Sequence, residues 1–135
     1  MQEFPINYLA LIVAALIRAA VGMAWHSPIM FGPAWMKLVG VNDQDMKAML
    51  PRAIPIDLIG GFIMAFVLVH AVHYAGANTL ATGAAVGFFN WIGFLVVSNL
   101  AGVLYEKKPF KLFAIDMSGQ LVALVAMGAL LAVWI

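Results

Sequence analysis

Four long apolar stretches, at about residues 6–24, 53–74, 80–104 and 110–134, leave this chain little freedom of fold. Each is long enough to cross a hydrocarbon layer about 30 Å thick, which takes roughly 20 helical residues. Outside them lies one sizeable connection, residues 28–52. With 65% hydrophobic and 10% charged residues, the chain has far too little charge to cover the surface of a soluble domain. The expectation is an all-α, polytopic membrane protein: one four-helix transmembrane domain over residues 1–135, with no separate soluble part. The first stretch reads as a retained span rather than a cleaved signal. Its start carries Glu3 and no basic residue, Arg18 interrupts it, and no small-x-small cleavage site follows.

Charge placement sets the orientation. Of the seven basic residues, Arg18 lies inside the first span. Lys37, Lys47, Arg52, Lys107, Lys108 and Lys111 fall in or beside the connections after spans one and three. The positive-inside rule then puts both connections in the cytoplasm and both termini outside. Trp25, Trp35 and Tyr105 read as interfacial anchors on the inner side, and Trp134 as one outside. In the 28–52 loop, Pro33–Leu38 reads as a short helix stopped by Gly40. Asn42 caps a second short helix that Pro51 ends. Both would lie on the bilayer surface, or offer a docking site to a partner.

A weak internal repeat runs through the chain. Gly22-Met23-Ala24-Trp25-His26 and Gly102-Val103-Leu104-Tyr105-Glu106 close spans one and three. Ile56-Asp57-Leu58-Ile59-Gly60 and Ile115-Asp116-Met117-Ser118-Gly119 sit early in spans two and four. Two hairpins with their basic loops on one side would be parallel repeats about an axis along the membrane normal.

A carboxylate therefore enters the hydrocarbon twice, each at a cost of about 2.5–3.5 kcal/mol on insertion scales. Arg18, Asp57 and Asp116 are expected at similar depth in the inner half, where one guanidinium would face both acids. Asn90 and Asn99 would add hydrogen bonds, and Trp25, His26, Tyr105 and Glu106 would form a cytoplasmic rim. Gly22, Gly61, Gly83, Gly87 and Gly119 would let the helices approach closely, with Gly83-x-x-x-Gly87 packing within the chain in preference to making a homodimer. Such a cluster is either a site for an ion, proton or small polar solute, or an ion-pair clamp that fixes helix register.

His70 and His73 share a face near the outer end of span two, but no third ligand accompanies them, so no metal site is expected. With no cysteine there are neither disulfides nor thiolate ligands. No catalytic motif is present, no cofactor is implied, and the basic residues are accounted for by topology rather than by nucleic acid.

The run Ala24-Trp25-His26-Ser27-Pro28-Ile29-Met30-Phe31-Gly32-Pro33-Ala34-Trp35-Met36 resembles the hallmark of a bacterial membrane family catalogued as domain of unknown function 1761. Tyr105-Glu106-Lys107-Lys108-Pro109 and Ile115-Asp116 are also similar, and His26 stands where that family usually has tyrosine. The resemblance implies a four-helix protein of the bacterial cytoplasmic membrane and brings no activity with it. The expected function is a small oligomeric transporter or channel using the Asp/Arg site; the rival is a non-transporting structural or accessory subunit. Expected partners are membrane lipids, further copies of the chain, and a polar solute or ion.

Overall fold

The computed structural model describes residues 3–134, and these form five helices with no strand among the described residues. Helix α1 spans Tyr8–Trp25, α2 Gly32–Val39, α3 Asp43–Tyr74, α4 Leu80–Tyr105 and α5 Phe110–Val133. All but α2 are long and apolar enough to cross a membrane.

Local chemistry sets most boundaries. The Asn7 side chain accepts from the Ala10 N–H and starts α1. Pro33 sits in the first turn of α2, and Gly40, at φ +83°, ends it in the left-handed conformation that glycine adopts at least cost. Asn42 and Asp45 exchange side-chain-to-backbone hydrogen bonds at the start of α3, as Thr79 and Thr82 do for α4.

Two features depart from expectation. Pro51 does not end a short helix: α3 runs on for 32 residues with Pro51 and Pro55 inside it. At 1.5 Å per residue that is about 48 Å, longer than the hydrocarbon layer. Both prolines lie where the helix is still exposed, so the carbonyls they leave unbonded remain accessible to water or headgroups. The loop thus holds one short helix, α2, and the second is the start of α3. In addition, α4 is not uniform, since Trp91–Val96 winds as a π-helical segment.

Helix α5 is the hub. It is the most buried of the four long helices and packs against α1, α3 and α4, while α1 also packs along α3. By contrast, α3 and α4 touch only sparsely. The apolar core, centred on Leu11, Leu68, Met127 and Leu131, lies toward the end of the bundle near both termini. There α4 meets α5 backbone to backbone: a β-carbon added to Gly83 would collide with the Gly128 carbonyl, and one on Gly87 with the Leu124 carbonyl. At the other end, which carries the basic connections, polar and aromatic contacts hold the helices instead.

Candidate functional site

The basic end of α5 begins with Phe110-Lys111-Leu112-Phe113-Ala114, and the next five residues, Ile115–Gly119, are each used by another helix. The Trp25 indole, at the last residue of α1, donates to the Ile115 carbonyl at 3.0 Å and to the Ser118 hydroxyl at 3.2 Å. Its ring lies against Gly119, where an added β-carbon would stand 2.9 Å from Trp25 Cδ1. From the other side, Trp91 donates to the Met117 carbonyl at 2.7 Å. Two indoles from two helices thus bond carbonyls two residues apart on α5. Only a residue without a side chain at position 119 lets the first ring reach that backbone.

His26 completes this dock. Its Nδ1 lies 2.9 Å from the Gly22 carbonyl and its Nε2 3.5 Å from Asp116 Oδ1. The ring also meets Trp35 of α2 edge-on, with centroids 5.1 Å apart. Hydrogen bonding to Asp116 raises the His26 pKa above the ordinary 6.5; burial opposes this, and the Gly22 carbonyl and the Asp116 charge reinforce it. The imidazolium supplies an N–H to both acceptors, whereas the neutral ring supplies one.

Arg18 forms a second, separate contact. Its Nη1 bonds Asp57 Oδ1 at 2.7 Å and reaches the Asp57 carbonyl at 3.4 Å, tying α1 to α3. The arginine side chain is 15% exposed and the aspartate 52%. Arg18 Nε and Gln120 Oε1 are buried without a hydrogen-bond partner.

One arginine between two acids is therefore not what forms. Arg18 pairs with Asp57, while Asp116 pairs with His26. The physical reason is depth. Asp116 is the seventh residue of α5 and stays near the helix end, whereas Asp57 lies fifteenth in the longer α3. Along α1 the two partners are eight residues apart, or about 12 Å. The asparagines do not join either pair: Asn90 Nδ2 donates to the Val86 carbonyl and Asn99 Nδ2 to the Leu95 carbonyl, both in their own helix. Ser98 likewise donates to the Phe94 carbonyl.

Of the expected rim, Trp25 turns inward instead of anchoring at an interface, and His26 sits beside it. Tyr105 is 83% exposed, and Glu106 pairs with Lys108 at 3.4 Å. Among the expected packing glycines, Gly61 lies against Ala15, 3.4 Å from an added β-carbon, whereas the same position on Gly22 faces open space. Trp91 is a residue that sequence reasoning missed. Its signal was weak, one aromatic after Asn90 in a run already rich in phenylalanine.

Away from the charges, an open cavity of about 300 Å³ between α1 and α3 has only apolar lining residues, among them Ile12, Leu16, Leu58 and Phe62. At the far end Phe4 stacks on His73 at 3.8 Å, and His70 Nδ1 lies 2.6 Å from the Phe66 carbonyl. Among the described residues no three His, Cys, Asp or Glu side chains gather as metal ligands.

The family model described as protein of unknown function (DUF1761) matches residues 9–132. No curated protein and no solved structure matches the chain.

Proposed function

Because the chain belongs to the DUF1761 family of proteins of unknown function, kinship supplies no chemistry, and we propose from the geometry that it is a non-transporting helical scaffold of the bacterial cytoplasmic membrane, without catalytic activity. Its intramembrane charges act as clamps between helices. The observation that carries this reading is the division of those charges into two pairs, each joining α1 to a different helix. The 300 Å³ cavity supports it, since none of the four paired residues lines it. In this reading the basic connections face the cytoplasm and both termini lie outside. Membrane lipid covers the apolar flanks, and the exposed Ile29 and Met30 before α2 are the surface offered to a larger assembly.

A solute or ion pathway is the second reading, favoured by the half-exposed Asp57 carboxylate. The two are separated by a double-mutant cycle run beside a flux assay. Arg18→Gln and Asp57→Asn each lower the unfolding free energy in mild detergent, and the double variant loses less than the sum. The coupling expected for a contacting pair is about 0.5–3 kcal/mol. Vesicles bearing the wild-type chain pass protons and small ions no faster than empty ones. A flux that Asp57→Asn abolishes at unchanged stability would replace the scaffold with a transporter.

A further inference from the structure

Two polar atoms are left over once the helix-to-helix pairs are made. Arg18 Nε and Gln120 Oε1 are both buried, and neither has a hydrogen-bond partner. One is a donor and the other an acceptor, on two helices, α1 and α5, that pack along each other. Each is costly to bury unbonded. The register of the bundle brings the two side chains toward one place. The end of α1 meets the start of α5, so these helices run antiparallel, with His26 against Asp116. One turn further in on each helix, Gly22 is thereby set opposite Gln120. Gly22 has no side chain to stand in the way, and a β-carbon there would meet nothing within 4 Å. Arg18 is one more turn along the same face of α1, about 6 Å beyond Gly22. Gln120 shares its face of α5 with the buried Ala123 and Met127, so it turns toward the middle of the bundle. There the Arg18 guanidinium already meets Asp57 of α3 at 2.7 Å.

We propose that one water molecule bridges the two, accepting from Arg18 Nε and donating to Gln120 Oε1, and so carries the Arg18–Asp57 pair over to α5. The chemistry selects water. The occupant must accept at one end and donate at the other. It must also be neutral, because the Arg18 charge is already balanced by Asp57 at 2.7 Å. An anion would face the carboxylate and a cation the guanidinium, with no surplus charge to hold either. And it must be small, since both atoms are closed off from outside solvent. A polar niche with at least two partners is where a folded chain retains a water. The three helices then share one polar node: α1 contributes the arginine, α3 the aspartate and α5 the glutamine. The bridge rests on the clamp reading of Arg18 and Asp57 and extends it to a third helix.

The sign of one substitution tests it. Gln120→Met keeps the length of the side chain and removes the acceptor. With the bridge in place it strands the Arg18 Nε–H, and the folding equilibrium constant in mild detergent falls about three- to tenfold. Without the bridge, the same change removes an unbonded buried amide, and the constant rises. A rise, or no change, overturns the proposal. Arg18→Lys keeps a cation for Asp57 but has no Nε–H, so in that background the loss caused by Gln120→Met disappears. An equal loss in both backgrounds overturns the bridge as well. A second measurement reads the water itself. In lipid vesicles, magnetisation transferred from water reaches the Arg18 Nε–H of the wild type in NMR spectra and drops several-fold in Gln120→Met. No transfer in the wild type, or transfer indifferent to Gln120→Met, overturns the proposal. The clamp is read separately by the coupling of Arg18 with Asp57. If that coupling persists while the water transfer is absent, the bridge fails and the clamp stands. Loss of the coupling in the wild type removes the clamp and the bridge with it.

Discussion

A tryptophan at the end of an apolar helix has two homes, the lipid interface or a neighbouring backbone, and Trp25 takes the second. The choice brings His26 with it, because the next residue along is carried over Asp116 at the same helix end. That pair has a pH signature. Contact with Asp116 raises the pKa of His26 in the folded chain above 6.5, so the stabilisation is complete below pH 6.5 and fades as pH rises through the folded value. At pH 5.5 the wild type is expected to be more stable than His26→Gln by about 0.2–1 kcal/mol, the range for a partly exposed pair, and at pH 9 the gap should shrink toward that of the neutral hydrogen bonds alone. Unfolding midpoints of both chains across that range check it. A gap that widens with pH would mean that the neutral ring is the bound form.

Among the elements, those with local signals were legible in advance. A proline start and a glycine stop bound α2, and the Asn42–Asp45 box starts α3 where the asparagine pointed. The stop expected at Pro51 failed because a proline forbids one backbone bond without forbidding the helix, and the exposed start of α3 tolerates that loss. The π-helical turn at Trp91–Val96 had no readable cause, as an indole reaching a carbonyl 26 residues away is not a local event. The glycines show the same limit. Gly22 and Gly87 look alike in sequence, yet one faces open space and the other a carbonyl of α5. Gly87→Leu should therefore force α4 off α5, with a cost of about 1–3 kcal/mol or more for overpacking. Gly22→Ala should be neutral or gain up to about 1 kcal/mol from improved helix propensity. Denaturation of the two variants side by side in detergent tests this, and equal effects would mean that α4 is not seated on α5 as described.

For the whole molecule, period and length were enough to read four long helices, but not which helix would be central. Helix α5 earns that position through Ile115–Gly119, and the same pattern on α3 did not. Asp116 was legible as an acid early in a long apolar helix; its partner was not, because depth depends on how far each helix extends past the core, and α3 began ten residues earlier than its apolar run. The fold does give the charge asymmetry a location. Trp25 docking on Ile115 puts the ends of α1 and α4 and the starts of α3 and α5 together, so Lys37, Lys47, Arg52, Lys107, Lys108 and Lys111 all belong to one end. The opposite end carries Glu3 and the Gly76-Ala77-Asn78 turn, and no lysine or arginine. Each basic residue near an anionic inner surface contributes about 1 kcal/mol, so six on one side against none on the other should select a single orientation. In intact cells a membrane-impermeant maleimide is expected to label Asn78→Cys and to spare Lys107→Cys, which reacts once the membrane is opened. Partial labelling of both before opening would mean that the chain inserts both ways, and labelling of Lys107→Cys alone would mean that it inserts upside down.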